Sequence, residues 1–147
     1  MRPDPSRVLM GLTTNLFVNL TPDVRTPFGQ ATAGMAGTLT LVLAQEADRL
    51  ADRLYRETQA VAAIIEDALP LLDADVAARA REALAGREAP DLRVSSLQAA
   101  NDLVRGALIE VHAAVEGLDT PAARDLDARI WDELRESTRR RHIEVPR

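Results

Sequence analysis

The sequence predicts an all-α protein: an antiparallel bundle of four to five helices, one of them unusually long, in a single domain over residues 1–147. Three observations carry that expectation. No run reads as a strand, and apolar residues recur at spacings of three and four rather than two. The stretch QATAGMAGTLTLVLAQEADRLADRLYRETQAVAAIIEDAL, residues 30–69, holds two glycines and many alanines but no proline. A chain of 147 residues is also long enough to bury one real core and too short for two.

The elements follow in order. The first helix spans about Ser6 to Leu20, with Val8, Leu9, Leu12, Leu16 and Leu20 on one face. The segment TPDVRTPFG then stops it. Thr26 is placed to cap the open N–H groups of the next helix, and Pro27 sits where a missing N–H costs nothing. The long helix runs from there to Ala68 or Leu69, roughly 60 Å at 1.5 Å per residue, and Pro70 ends or bends it. A shorter helix covers about Ala74 to Ala85 and is closed by Gly86. After the loop REAPDLRVSS, Ser95 with Gln98 has capping-box spacing for a helix over about Ser96 to Leu118. Its seam is Leu97, Asn101, Val104, Leu108, Val111, Val115 and Leu118, in which only Asn101 is polar. Thr120 and Pro121 repeat the Thr-Pro cap, and the last helix turns Ala123, Leu126, Ile130 and Leu134 inward.

The long helix changes character along its length. Its second part has a seam of Leu43, Ala47, Leu50, Leu54, Glu57, Val61, Ile64 and Ala68, a 3.5-residue repeat suited to bundle packing. Its first part carries small stripes: Gly29, Ala33 and Gly37 on one, Ala36, Thr40 and Ala44 beside it. Glycine inside a helix costs about 0.5–1 kcal/mol relative to alanine. Close approach of another helix, a bend near Gly34 and Gly37, or a ligand against bare backbone would each offset that cost. Close approach is favoured, with Phe28, Met35, Leu39 and Val42 interdigitating around it. The first helix can fold back on this region, but two helices do not enclose a core. A second copy in a two-fold dimer is therefore expected to complete it, through Gly29, Ala33, Met35, Gly37, Thr40 and Ala44.

Composition narrows the function. A formal net charge of -5 argues against nucleic acid or an anionic membrane as the main partner, and the run Arg139, Arg140, Arg141, His142 is the one basic exception. Those arginines complement the helix C-terminus or offer a docking patch for an acidic partner. With no cysteine there is no disulfide framework, thiolate nucleophile or cysteine-ligated metal. The start, MRPDPSRVL, lacks the features of a signal peptide, so a cytoplasmic location is expected.

No catalytic signature is present. Di-metal bundles need Glu-x-x-His pairs, but Ile109 precedes His112 by three and Arg139 precedes His142 by three. His-Glu-x-x-His, a P-loop and a serine elbow are missing as well. No metal and no cofactor is expected. What remains is a polar stripe of Asn101, Arg105, His112 and Glu116, which Glu57 of the long helix could meet. Such a group could bind an anionic ligand or run acid–base chemistry. The plainer alternative is a solvated stripe with one Asn fixing register.

The segment ALIEVHAAVEG followed by AARDLDARIWDELRESTRRRHIEVPR resembles short all-helical bacterial proteins of unassigned activity that accompany acyl-CoA dehydrogenases and phosphotransferase-like kinases. The resemblance implies an accessory or partner role near acyl-CoA metabolism and transfers no catalytic residue. Two functions are thus expected to compete. One is a non-catalytic, self-associating accessory or interaction subunit, a homodimer with a possible protein partner. The other is a small enzyme or ligand-binding protein with an inter-helix pocket lined by Arg105, His112, Glu116 and Glu57.

Overall fold

In the computed structural model, residues 4–144 are described, and they form helices with no strand among them. In chain order these are α1 (Pro5–Thr14), a π-helical segment (Asn15–Leu20), α2 (Thr21–Asp23), α3 (Pro27–Ala68), a 3-10 turn (Leu69–Leu71), α4 (Ala74–Ala85), α5 (Val94–Glu116) and α6 (Pro121–Arg140). The fold is all-α, and α3 is 42 residues long.

Local chemistry accounts for most boundaries. The Thr26 hydroxyl accepts from the Gly29 N–H at 3.1 Å and the Thr120 hydroxyl from the Ala123 N–H at 3.1 Å, so both Thr-Pro steps cap helices as expected. Asp73 caps α4 by accepting from the N–H groups of Asp75 and Val76 at 3.0 and 2.9 Å, and Gly86 closes it. Two boundaries differ from expectation. The Ser95–Gln98 capping box does not form: α5 begins earlier, at Val94, which puts Ser95 inside the helix, and Gln98 donates to Asp102 at 2.7 Å instead. The first helical run continues through Pro22 to Asp23 rather than ending at Leu20. Proline normally clashes with the preceding turn, but the wider π segment loosens that turn, and the Thr21 hydroxyl donates to the Leu16 carbonyl at 2.8 Å.

Where length alone predicts one domain, contacts within the chain cluster into two compact units. One holds the chain up to Leu50 together with the segment from Ile143, and the other is Ala51–His142. The helix α3 contributes its first part to one and its second part to the other.

The larger unit is a helical bundle with a closed core. Val61, Ile64, Ile65 and Ala68 of α3, Ala80 of α4, Val104, Leu108, Val111 and Val115 of α5, and Ala123, Leu126 and Ile130 of α6 form one buried cluster. The expected seams of α5 and α6 therefore face inward, except Leu118, which lies beyond the end of α5 and is exposed. The expected seam of α3 is buried only from Leu54 onward, at Leu54, Glu57, Val61, Ile64 and Ala68; Leu43 and Ala47 are exposed and Leu50 is half-buried. Ion pairs on the rim tie helices together: Arg79 to Glu110 at 2.6 Å between α4 and α5, and Arg129 to Asp67 at 2.7 Å between α6 and α3.

The smaller unit is a hairpin of the first helical run and the first part of α3. The Ser6 hydroxyl donates to the Ala44 carbonyl at 2.8 Å, and the Phe17 ring lies against Gly37. The Gln45 amide clasps the returning terminal segment at both ends, donating to the Glu144 carbonyl at 2.7 Å and accepting from its N–H at 2.9 Å.

Candidate functional site

Three groups of residues were candidates for function, and each has a distinct fate in the structure.

The first is the small-residue face of α3. Ala33, Gly37, Leu41 and Ala44 are buried. A Cβ added at Gly37 would stand 2.8 Å from Phe17 Cζ, so the glycine is what lets the first helical run approach. Gly29 is half-buried beneath Val24 and Thr26, and Thr40 spends its hydroxyl on the Ala36 carbonyl at 2.7 Å. At Gly37 the close approach is made by the chain's own first helical run, whereas Gly29 packs beneath the preceding turn and an added Cβ at Gly34 would meet nothing within 4 Å. Ala33, Gly37 and Ala44 are consequently not available to a second copy, which corrects the expectation for them. Met35 is open.

The open surface lies on the opposite side. Phe28, Met35, Leu39 and Leu43 are 83, 67, 58 and 57% exposed. At about 100° per residue these four form one stripe, roughly 160° around the helix from the buried set. The first part of α3 is thus apolar on two faces, one covered by its own hairpin partner and one bare. Val8, Leu12, Val18 and Leu20 are exposed on the partner run as well. Across residues 8–45 the only charged side chains are Asp23 and Arg25, both at the turn.

The second group surrounds Glu57, which is 0% exposed. Its Oε2 receives Arg141 Nη2 at 2.7 Å and lies 3.7 Å from Arg105 Nη1, while the Ser137 hydroxyl donates to its Oε1 at 3.0 Å. Arg141 also donates to the Ser137 carbonyl at 3.0 Å. One turn away, buried Asn101 donates to the Thr58 hydroxyl at 3.2 Å, and that hydroxyl donates to the Leu54 carbonyl at 2.8 Å. Every charge in this group has a partner supplied by α3, α5 or the end of α6. A carboxylate held this way is a latch between helices, with each of its two oxygens already accepting a hydrogen bond.

The basic tail takes part in the same internal pairing. Arg139 lies 3.3 Å from Glu136, Arg140 makes two bonds to Glu133 at 2.7 and 3.1 Å, and Arg141 holds Glu57. The hydrogen bond to Glu133 holds the Arg140 guanidinium above its already high ordinary pKa. Arg140 and Arg141 are thus engaged within the bundle, while Arg139 pairs along the exposed surface of α6.

The third group is centred on His112. Its Nε2 lies 2.8 Å from Asp127 Oδ1 on α6 and 3.5 Å from Glu116 Oε1, one turn on along α5. The Trp131 ring meets the imidazole edge-on at 5.5 Å. The polar stripe of α5 is therefore split. Glu57 and Arg105 come together, whereas His112, two turns or roughly 10 Å further along α5, pairs with Asp127 and with Glu116 one turn beyond it. Ser137, Arg141, Asp127 and Trp131 were missed by the sequence reading. Continuing the α6 seam beyond Leu134 by three and then four would have reached Ser137 and Arg141. Asp127 depends on the register between α5 and α6, which no periodicity carries.

Among the described residues, no helix is long and apolar enough to cross a membrane. Comparison with known protein families, with curated proteins and with solved structures finds no match to this chain.

Proposed function

We propose that the protein is a non-catalytic accessory subunit that self-associates through its hairpin, two copies forming a four-helix bundle about a two-fold axis. The observation that carries this is the bare apolar stripe of Phe28, Met35, Leu39 and Leu43 on a unit made of only two helices. Apolar side chains of this size, recurring on one stripe over about four turns, are the mark of an association surface rather than ordinary surface scatter.

A second copy fits the stripe better than an unlike partner because of charge. In a two-fold interface each patch meets itself, so any charge near the axis meets its own sign. Residues 8–45 avoid that penalty, since Asp23 and Arg25 sit at the turn, away from the stripe. The packing would repeat the rules that hold the single hairpin, with large side chains of one copy filling between those of the other. The accessory role is supported by the resemblance of the C-terminal helices to proteins that accompany acyl-CoA dehydrogenases, and by a buried Glu57 whose partners are structural.

Charge introduced on the stripe tests the reading. The double variant Met35→Glu, Leu39→Glu places two carboxylates per copy in the proposed interface while touching neither the buried face of α3 nor the larger unit. Sedimentation equilibrium should give a dimer dissociation constant weakened by at least about a hundredfold. An unchanged constant would place the interface elsewhere.

A further inference from the structure

Beyond self-association, the His112 group has the composition and spacing of a metal site. We propose that His112, Glu116 and Asp127 bind one divalent first-row transition ion, with zinc preferred over magnesium or calcium.

Geometry is the first support. Donor atoms from the three side chains all lie within 4.8 Å of one another. Ligands bound to a common ion at about 2.1 Å stand roughly 3.0–3.4 Å apart for octahedral to tetrahedral angles. The separations from His112 Nε2, 2.8 Å to Asp127 and 3.5 Å to Glu116, bracket that range. The Glu116 and Asp127 donors lie within 4.8 Å of each other, and rotation of the exposed Glu116 side chain would close the set around one ion. The two helices that carry the donors are fixed by the core beneath them, where Val111 and Val115 of α5 pack with Ala123, Leu126 and Ile130 of α6.

Charge is the second support. Two carboxylates converge on a single imidazole nitrogen, which can carry only one proton. A protonated imidazole would leave the group with a net negative charge, and Arg124, which lies beside it, pairs with Asp119 at 2.5 Å. A dication with neutral imidazole brings the three ligands to zero. One nitrogen and two oxygen donors suit zinc and its neighbours, whereas magnesium and calcium favour all-oxygen shells of six or more ligands.

Access is the third. A cavity of about 300 Å³ adjoins the group, lined by Val115, Glu116, Leu118, Ala123, Arg124 and Asp127. Two of the three donors thus border open space, so an ion can enter, and positions not filled by protein can hold water or an anionic group.

The chain carries its own reporter. Trp131 is the only tryptophan and its ring centroid lies 5.5 Å from that of His112. Titration of the full-length protein with Co²⁺ should quench this fluorescence saturably at one ion per chain. Zn²⁺ should reverse the quenching by competition, and Mg²⁺ at the same concentration should not. Glu116→Gln, at a side chain that is 56% exposed and so leaves the fold intact, should weaken Co²⁺ binding by at least about tenfold. Asp127→Asn should do the same with helicity unchanged by circular dichroism. The proposal is overturned if wild-type quenching does not saturate at one ion per chain, or if the folded Glu116→Gln protein binds Co²⁺ as tightly as the wild type.

Discussion

Glu57 is the residue on which most of the larger unit's polar interior depends. A buried carboxylate is tolerated only while it is paired, and removing a partner strands the charge. Arg141 is the closest partner at 2.7 Å, with Ser137 and Arg105 supplying the rest. Arg141→Ala should therefore cost about 1–3 kcal/mol, read as a lowered urea midpoint with unchanged slope. Arg139→Ala, whose partner Glu136 is exposed, should fall within about 0.5 kcal/mol of wild type in the same measurement. Glu57 was legible as a polar residue at a seam position, and so was Asn101. Their partners were not, because a run of arginines at a helix end has a sufficient explanation in the helix dipole. Continuing the α6 seam would have placed Ser137 and Arg141 on the inward face, but only the three-dimensional register shows that both meet Glu57. The same limit hid Asp127, the residue that turns His112 from a member of a polar stripe into the centre of a three-ligand group.

At the scale of single helices, glycines and caps make opposite tests. Gly106 in α5 has nothing within 4 Å of an added Cβ, so Gly106→Ala should stabilise by about 0.5–1 kcal/mol through helix propensity alone. Gly37→Ala gains the same propensity but drives a methyl group against the Phe17 ring at 2.8 Å. It should show no net gain or a loss, and thermal melts of the two variants side by side would separate the roles. Thr120→Ala removes the hydroxyl that caps α6 and should cost about 1 kcal/mol. The Thr-Pro caps and Gly86 could be read directly because each is a local device with a fixed residue vocabulary. The start of α5 and the passage of the first helical run through Pro22 could not. An exposed Ser-x-x-Gln spacing competes with the helix simply starting earlier, and a π segment that accommodates proline has no comparable signature.

For the molecule as a whole, the sequence predicted a helical bundle, which the structure shows, and a region needing a second copy, for which the structure offers an exposed apolar stripe. The small residues of α3 were expected to face another chain; Gly37 lies against Phe17 and the Ala44 carbonyl accepts from the Ser6 hydroxyl, both of the chain's own first helical run. Small residues report that a backbone comes close but not which backbone, and the larger apolar residues opposite them are exposed. Phe28, Met35, Leu39 and Leu43 form a surface long enough and free enough of charge to pair with its own copy. The most direct test is the mass of the full-length wild-type protein by size-exclusion chromatography with light scattering at micromolar concentration. A two-fold hairpin dimer predicts about 32 kDa, twice the 16.0 kDa of one chain. A single species at the mass of one chain would contradict it.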